Sequence, residues 1–590
     1  MTEAHYDDWV SRLADEAIEA AEKLGTPVVC ASGISPSGPV HLGNLREVMT
    51  PHLVADEIRR RGVEVEHIIS WDDFDRYRKV PAVEGVDESY AQHIGKPLTA
   101  VPAPKGSPHD SWAAHFRAEI EDGLAQLGIT YRGISQTEQY TSGAYVEHVL
   151  FAMSQRAEID RVLAQYRTLP GQSGEKQKGR QKKLSEDDVA AAAAAVEGSG
   201  AAFEDDGSAG SDYYPYKPYC SSCGTDFTAV TSYDDASTEM TYTCRCGHTE
   251  TVLLREHRRG KLVWKVDWPM RWAYEKVTFE PSGVDHQSPG SSYAVGKEIA
   301  PLFGWERPLG PMYAFVGIRG MAKMSSSRGG VPTPVEALRF MEAPLLRWLY
   351  ARKRPNQAFD VALDAEIQRM YDEWDSLVRK VSGDSAQPGD LAAHARAVSV
   401  AAGELPMTPH PLPYRTIASV VDITTGDDEQ TLRILRSLDP TDPVSSLDEL
   451  RPRLDRASAW VETQMAPEDR TVVRASPDAE ALAALTDAQR EGLRILLDGK
   501  GSELPAIDDA WSLDGLTHQV YGVPKVQAGR AADFKPDRRT DPETAAALGA
   551  AQRQFFKLLY HLLIGKDTGP RLPTLLLAVG ADRVRTLLTP

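Results

Sequence analysis

Two close pairs of cysteines in this 590-residue sequence have the spacing of a metal-binding site. Cys220 and Cys223 form the first pair, and Cys244 and Cys246 follow after about 20 residues. Four thiolates in this arrangement match a tetrahedral, structural Zn²⁺ site, and a glycine after each pair permits the tight turns that such a site needs. His248 also lies within reach of the second turn, so Cys246 and His248 stay open as alternatives for the fourth ligand.

A second group of residues, Ala31–Asn44 (ASGISPSGPVHLGN), lies where an apolar strand is followed by a helix. Its glycines permit a tight turn and allow a ligand to approach the backbone closely. A helix that begins near His41 directs N–H groups and the positive end of its dipole towards this turn, which favours an anion. His41 and Asn44 can donate hydrogen bonds to phosphate oxygens, so the group predicts a phosphate site that acts without a covalent intermediate.

A third group, Gly320–Gly330 (GMAKMSSSRGG), is rich in glycine and hydroxyl groups and carries the cations Lys323 and Arg328. A loop of this composition can close over a polyphosphate, and Lys323 can neutralise the charge that develops on a departing pyrophosphate. Taken alone, the segment predicts only a flexible basic loop. Together with Ala31–Asn44 it indicates a nucleotide site built from two distant parts of the chain.

The elements that must position these groups follow an α/β pattern. Thr26–Ile34 and Val63–Trp71 are short apolar runs typical of strands, and the helix between them presents an apolar stripe at spacings of three and four residues. A strand, glycine turn, helix and strand begin a parallel sheet that binds ligands at the carboxyl ends of its strands. We expect further strands at Lys261–Val266 and Pro311–Val316, after a large inserted domain. Helices dominate beyond Pro334.

Length, charge and the lack of long apolar runs indicate a multidomain protein that is neither secreted nor embedded in a membrane. A chain of 590 residues is long enough for several domains, and its 66 basic and 85 acidic residues give a net charge of −19. The N-terminus lacks the pattern of a secretory signal, and no apolar run reaches the roughly 18–20 residues of a membrane span, so we expect a cytoplasmic protein. Basic clusters, such as the one at residues 176–183, leave a nucleic-acid partner open.

The motifs and their order carry a family resemblance. PSG at Pro36–Gly38, HLGN at His41–Asn44 and KMSSS at Lys323–Ser327 resemble the nucleotide signatures of class I lysyl-tRNA synthetases, the Rossmann-type form of that enzyme. The family's order is also followed by the segments SWDDFDRYRKVP (70–81), VWKVDWPMRW (263–272), GVDHQSPGSSY (283–293) and PMYAFVGIRG (311–320). The resemblance covers residues 20–165 and 215–350 well, and the C-terminal half mainly by helical character and position.

The resemblance implies a two-step reaction, in which lysine and ATP form lysyl-adenylate and pyrophosphate before the lysyl group passes to the terminal ribose of tRNA(Lys). It implies ATP with Mg²⁺ as the substrate complex and no nucleophilic side chain, so catalysis consists of positioning and electrostatic stabilisation. The implied catalytic residues are His41, Asn44 and Lys323. The implied ATP-binding residues are Pro36, Gly38, His41, Gly43, Asn44, Lys323, Met324, Ser325, Ser326 and Ser327. The wider class commonly has a second lysine in place of Ser326, and we expect Arg328 to contribute here.

For the amino acid, the resemblance points to Gly33, Ser35, Trp264, His286 and Tyr313. Aromatic faces can flank the aliphatic part of lysine, and a buried ammonium also needs a carboxylate, for which Asp72 and Asp73 are the candidates. Glutamyl relatives carry an arginine at the strand position held here by Ala31, and an alanine cannot pair with a substrate carboxylate. This position therefore favours a cationic amino acid.

The expected fold class is α/β, with a Rossmann-type parallel-sheet catalytic domain, an inserted zinc-containing domain and an all-α C-terminal half. The expected ranges are 1–100 and 261–333 for the two halves of the catalytic domain, 101–260 for the inserted acceptor-stem domain with a flexible segment at 170–212 and a zinc ribbon at 218–248, 334–405 for a helical connecting domain, and 406–590 for an α-helical anticodon-binding domain. The implied partners are tRNA(Lys), L-lysine and ATP. A monomer fits the family, and no membrane is expected.

Two other functions fit parts of the sequence. A tRNA-binding paralogue that has lost catalysis would show damaged signatures, yet His41, Asn44 and Lys323 are all present. A Rossmann-type nucleotidyltransferase that activates a small metabolite would need no long helical C-terminal half. The sequence leaves open which residues read the anticodon, what the segment at 170–212 does, and whether lysine activation needs tRNA.

Overall fold

The computed structural model describes residues 6–166, 213–288, 290–319, 331–438, 441–536 and 539–590. The chain forms two compact units: the first comprises Met1–Leu338, Ala343–Val361 and Lys380–Leu405, and the second comprises Arg339–Glu342, Ala362–Arg379 and Pro406–Pro590. The first unit has the α/β character that the sequence predicts, whereas the finer division into five ranges stays a prediction. Within the described ranges, we find no helix with the length and apolar character of a membrane span.

Parallel strands form the centre of the first unit. Its first elements are α1 (Trp9–Leu24), β1 (Val28–Ile34), α2 (Leu42–Arg60), β2 (Val65–Trp71), α3 (Trp112–Gln126) and β3 (Arg132–Ser135). β1 pairs with β2 and β2 with β3, all in parallel, with Val28 opposite Val65. β1 is buried along nearly its whole length, as expected of a strand covered on both faces. The two strands and the intervening helix predicted near the N-terminus are therefore confirmed.

A small β-subdomain follows three helices. The helices are α4 (Gln136–Ser142), α5 (Val146–Ser154) and α6 (Arg156–Ala164). The strands are β4 (Tyr216–Pro218), β5 (Thr228–Tyr233), β6 (Glu239–Cys244), β7 (Thr249–Leu253) and β8 (Gly260–Leu262). β5, β6 and β7 form an antiparallel sheet, and β4 pairs antiparallel with β8. The segment predicted to be flexible, at 170–212, lies outside the described residues.

The parallel sheet continues after this subdomain. Phe279 bridges Cys30 of β1 on one side and Leu309 on the other, both in parallel. Beyond it, β9 (Ser282–Gly283) pairs in parallel with β10 (Met312–Tyr313). The carboxyl edge of the sheet is therefore built from both halves of the predicted catalytic domain.

Two predicted strands differ from the structure. The strand predicted at Lys261–Val266 is wrong beyond β8, because Trp264–Glu275 forms helix α7. Trp264, Trp268 and Trp272 recur every four residues, which is a helical period. The strand predicted at Pro311–Val316 is divided, since β10 is followed by β11 (Val316–Ile318), which pairs instead with β12 (Phe359–Val361).

Helices make up most of the remaining described chain. The first unit adds α8 (Val284–Gln287), α9 (Ser292–Ile299), α10 (Pro334–Leu338), α11 (Ala343–Ala351), α13 (Pro388–Val398) and the hairpin strands β13 (Ser399–Val400) and β14 (Gly403–Glu404), and α12 (Ile367–Ser382) precedes α13 in the chain. The second unit contains α14 (Tyr414–Thr424), α15 (Asp428–Ser437), α16 (Arg453–Thr463), α17 (Ala479–Ala483), α18 (Asp487–Asp498), α19 (Leu513–Gln527), α20 (Pro542–Ile564), α21 (Leu572–Val579) and α22 (Ala581–Leu588). A leucine-rich core joins the helices from α17 onward. The helical C-terminal half is confirmed.

Candidate active site and metal centre

The carboxyl ends of β1, β2, β9 and β10 lie along one edge of the parallel sheet. Ligands of open α/β sheets bind at this edge. The predicted amino-acid-binding residues lie at or just after these strand ends, with Gly33 and Ser35 at β1, Asp72 and Asp73 after β2, His286 after β9 and Tyr313 in β10. Pro36 and Gly38 lie in the connection from β1 to α2.

Gly33 lies between two carboxylates at this edge. A side-chain carbon placed on Gly33 would lie 3.7 Å from Glu47 Oε1 and 4.0 Å from Asp72 Oδ2. The Gly33 N–H donates to Glu47 Oε1 at 3.3 Å, and the Tyr313 hydroxyl donates to Glu47 Oε2 at 3.3 Å. Glu47 of α2 therefore joins β1 to β10, although it belongs to none of the predicted motifs.

Burial and mutual repulsion make the acids of this edge hard to ionise. Burial raises the pKa of Glu47 to about 8, and the charges of Glu280 and Asp72 add to the shift. Burial also raises the pKa of Glu280 to about 7 and that of Asp72 to about 6, although the Arg271 guanidinium opposes the second shift. Among the described residues, no cation pairs with Glu47. A bound ammonium would supply the missing positive charge.

Asp72 and Asp73 have different surroundings. Arg271 Nη1 lies 2.5 Å from Asp72 Oδ1, so Asp72 faces the site with a guanidinium beside it. Asp73 accepts a hydrogen bond from the Ser135 hydroxyl at 2.6 Å and another from the Thr137 N–H at 2.8 Å, at the start of α4. The structure thus brings Asp72 to Gly33 and Glu47, whereas both oxygens of Asp73 hold the start of a helix.

Aromatic side chains form a wall beside these acids. Trp264 and Trp268 are stacked with their ring centres 5.1 Å apart, and His286 packs edge-on against Trp268 at 5.5 Å. The Arg271 guanidinium lies 5.3 Å from the centre of the Trp264 ring and also contacts Asp72. Trp264 and His286 therefore share one wall, which Arg271 links to the acidic edge.

His41 caps the first turn of α2. The Gly43 N–H donates to His41 Nδ1 at 3.1 Å, and burial lowers the pKa of His41 to about 4. The ring is therefore neutral near pH 7 and carries its proton on Nε2. The Leu42 N–H donates to the Pro332 carbonyl, and the next N–H groups after Gly43 donate to the His41 carbonyl. The backbone donors expected to face an anion are thus engaged within the protein, which leaves the His41 Nε2–H and the Asn44 amide as side-chain donors.

The loop Gly320–Gly330 lies outside the described residues, but the residues that flank it both contact α2. Before the loop, Arg46 Nη1 donates to the Ala314 carbonyl at 3.1 Å. After the loop, the Leu42 N–H donates to the Pro332 carbonyl at 3.0 Å. The described segments on the two sides of the loop are therefore both held against α2, at Ala314 and at Pro332. The positions that stay predictions are those of Lys323, Met324, Ser325, Ser326, Ser327 and Arg328.

The four paired cysteines meet in the β-subdomain. Their sulfur atoms all lie within 4.8 Å of one another, with 3.8 Å between Cys220 and Cys246 and 3.6 Å between Cys223 and Cys244. Tetrahedral zinc with bonds of about 2.3 Å places its sulfur ligands about 3.8 Å apart, so this cluster fits such an ion. His248 Nε2 lies 3.0 Å from a serine hydroxyl instead, which favours Cys246 as the fourth ligand.

Comparison with known proteins identifies the family. A family model described as tRNA synthetases class I (K) matches residues 7–404. A lysine–tRNA ligase of Streptomyces coelicolor is 65% identical over 587 residues, and one of Thermococcus kodakarensis is 31% identical over 591 residues; each alignment covers 98% of both chains. A solved glutamate tRNA ligase from Elizabethkingia meningosepticum is 12% identical with a TM-score of 0.41, over 95% of this chain and 98% of that one. The family model and the two lysine–tRNA ligases show that this chain belongs to the class I lysyl-tRNA synthetase family.

Proposed function

We propose that this chain attaches L-lysine to tRNA(Lys) in two steps, with ATP and through lysyl-adenylate. Its family and its lysine–tRNA ligase relatives support the reaction. The observation that carries the choice of amino acid is the Glu47 carboxylate, which has no cation partner among the described residues and lies one helical turn after Asn44. A cationic side chain bound there would be stabilised next to the nucleotide motif.

The two ammonium groups of lysine suit two different carboxylates. Arg271 partly neutralises Asp72, so Asp72 suits the α-ammonium, which has a carboxylate beside it in the amino acid. Glu47 suits the side-chain ammonium, which has no such neighbour. Trp264 and His286 flank the aliphatic part of the substrate. The proposed lysine site comprises Gly33, Ser35, Glu47, Asp72, Trp264, His286 and Tyr313.

In the first step, a lysine carboxylate oxygen attacks the α-phosphate of ATP, and the bond from that phosphorus to the bridging oxygen breaks as pyrophosphate departs. The His41 Nε2–H and the Asn44 amide donate to phosphate oxygens, Lys323 balances charge on the departing pyrophosphate, and the hydroxyls of Ser325–Ser327 donate to its oxygens. Mg²⁺ bound with ATP would supply further positive charge. In the second step, the terminal ribose hydroxyl of tRNA attacks the adenylate carbonyl. AMP departs with the bonding electron pair, and its phosphate accepts the hydroxyl proton.

We also propose a structural zinc ion, a tRNA partner and a monomeric state. Cys220, Cys223, Cys244 and Cys246 hold one structural Zn²⁺, which stabilises the β-subdomain. The inserted domain and the helical C-terminal half bind tRNA(Lys), and the protein acts as a cytoplasmic monomer. Metal analysis of the purified protein should find one zinc per chain. Four freely titratable thiols in a protein without metal would contradict the zinc assignment.

Amino-acid-dependent exchange of labelled pyrophosphate into ATP tests the activity directly. Purified protein is assayed with each of the twenty amino acids, with Mg²⁺, and with and without tRNA(Lys). Lysine should support exchange, and transfer of labelled lysine to tRNA should follow. Exchange with glutamate and none with lysine would overturn the specificity. Lysine binding without exchange under any condition would favour a paralogue that has lost catalysis.

A further inference from the structure

Glu280 lies behind the aromatic wall of the proposed lysine site. Its backbone N–H donates to the Leu309 carbonyl at 2.9 Å, which fixes it within the parallel sheet. Its carboxylate is buried, and each oxygen accepts a hydrogen bond from an indole N–H, at 3.1 Å from Trp268 and at 2.5 Å from Trp272. Both carboxylate oxygens therefore have partners within the protein. Glu280 can influence the substrate site only indirectly, through the tryptophans that it holds.

The indole that Glu280 holds supports the wall of the lysine site. Trp268 stacks on Trp264 at 5.1 Å and contacts the edge of His286 at 5.5 Å. A fixed acceptor for a buried indole N–H favours one orientation of the ring, in addition to the packing around it. Because Glu280 supplies that acceptor, it determines the orientation of the ring against which Trp264 and His286 pack.

The charge of Glu280 also reaches the lysine site. Its hydrogen-bond donors are neutral indoles, and no described cation forms an ion pair with it. Its charge makes the Glu47 carboxyl harder to ionise. Because the two carboxyls oppose each other's ionisation, the positive charge of a bound ligand stabilises the ionised form of both. A neutral side chain of the same length would leave both carboxyls without that stabilisation.

We propose that Glu280 is a specificity-determining positioning residue, which orients Trp268 and adds the second negative charge that selects an amino acid with a cationic side chain. This inference rests on the proposed lysine-activating function. It predicts that removing the charge of Glu280 weakens binding of lysine far more than binding of a neutral analogue of the same shape.

The first test is Glu280→Gln, which keeps the shape of the side chain and removes its charge. The full-length protein is assayed by pyrophosphate exchange with tRNA(Lys) present, and 6-hydroxy-L-norleucine, with a hydroxyl in place of the side-chain ammonium, serves as a competitive inhibitor. The KM for lysine should rise about tenfold, as expected from the loss of a nearby charge, with little change in kcat or in the KM for ATP. The inhibition constant of the neutral analogue should change less than about twofold.

A lysine KM that stays unchanged would overturn the proposal. So would equal weakening of lysine and the neutral analogue, because that result would show a purely structural role. Glu64→Gln, which alters an exposed acid just before β2, is the matched control and should leave all constants unchanged. Lysine-dependent exchange by the unaltered protein tests the proposed function separately, so failure of the two ideas can be told apart.

Glu280→Asp keeps the charge and shortens the reach to the indoles. Its KM for lysine and its inhibition constant for the neutral analogue should rise together, so the preference for the cation is retained. Loss of that preference in Glu280→Asp would contradict the role of charge, even if Glu280→Gln does not fold. Thermal unfolding of each variant shows whether it is folded.

Discussion

Two regions of this chain hold buried or half-buried carboxylates with different cation partners. In the second unit, Glu342 and Asp375 both pair with Arg453, at 2.8 Å and 2.9 Å. At the sheet edge of the first unit, Glu47 and Glu280 accept hydrogen bonds from neutral groups of the described residues. Removing one partner of a balanced buried pair destabilises the fold, whereas carboxyl groups left without a cation at a sheet edge point to a ligand of positive charge.

The charge states of Arg453 and Glu47 differ. Glu342 and Asp375 raise the pKa of Arg453 above its usual value although burial opposes its charge, and burial also raises the pKa of Asp375 despite its pairing with Arg453. At the sheet edge, burial and neighbouring acids raise the pKa of Glu47 to about 8. The paired group is therefore held in its charged form by the fold, and Glu47 needs a ligand to be held in that form near neutral pH.

The largest expected effect comes from removing Arg453, the cation that pairs with both buried acids of the second unit. Arg453→Met leaves Glu342 and Asp375 buried without their cation, so the free energy of unfolding should fall by about 3–5 kcal/mol. Urea denaturation followed by tryptophan fluorescence measures the change. Arg369→Met removes an exposed arginine of α12 with acidic partners and should cost less than about 1 kcal/mol. Equal losses in the two variants would show that the Arg453 network is not a special source of stability.

Glu47→Gln should weaken substrate binding without lowering stability. Loss of the carboxylate leaves the side-chain ammonium without its partner, so the KM for lysine should rise about 100-fold or more, equivalent to about 3 kcal/mol. The pKa of Glu47 is raised from 4.5 to about 8 in the folded protein, so this carboxyl ionises first in the unfolded chain and stability is lost as the pH rises through that range. The variant should therefore be at least as resistant to urea as the unaltered protein at pH 8.

The exposed helix residue Glu22 offers a matched control for this variant. Glu22→Gln should change neither the KM for lysine nor the urea midpoint. A Glu47→Gln protein with normal lysine kinetics would remove Glu47 from the proposed site. If the variant instead becomes much less stable, Glu47 serves the stability of the fold, as Glu342 and Asp375 do.

The pH dependence of lysine binding tests whether Glu47 lacks a cation partner in the empty site. The groups that face Glu47 are Glu280, Asp72, Tyr313 and Gly33, and the Arg271 guanidinium lies beside Asp72. Because lysine binds the ionised carboxylate, its KM should rise as the pH falls from 8 to 6, by up to about tenfold per pH unit. The inhibition constant of 6-hydroxy-L-norleucine should stay nearly constant, and a flat lysine profile would contradict the raised pKa of Glu47.

The sequence predicts the parts of this site that depend on local patterns. β1, β2 and α2 follow from hydrophobic periodicity, and the cysteine cluster follows from ligand spacing. Glu47 and Glu280 were missed because their role depends on which distant segments meet: Glu47 contacts Tyr313, 266 positions away. Asp72 and Asp73 are adjacent in the sequence, and only tertiary structure shows that the second holds α4.

One feature of the local sequence does point to Glu47, namely a proline four residues later in the same helix. The smallest expected effect concerns the backbone carbonyl that this proline leaves free. Pro51 lies inside α2 and has no N–H, so it cannot form the helical hydrogen bond to the Glu47 carbonyl four residues earlier. The Ser32 hydroxyl of β1 lies 3.3 Å from that carbonyl and 3.2 Å from His67 Nε2, so its single proton is shared between two acceptors. A proline in this helix therefore opens a carbonyl through which β1 fixes the backbone of Glu47.

Ser32→Ala should leave the Glu47 carbonyl without this donor, at a cost of about 1 kcal/mol, and loosen Glu47 relative to Gly33. We expect the KM for lysine to rise about fivefold, a smaller change than for Glu47→Gln, because the carboxylate itself is kept. Ser419→Ala, which removes a similar hydroxyl-to-carbonyl bond in α14, should leave lysine kinetics unchanged. If Ser32→Ala lowers stability with no change in the KM for lysine, the bond belongs to the fold alone, and the position of Glu47 is set by its side-chain contacts to Gly33 and Tyr313.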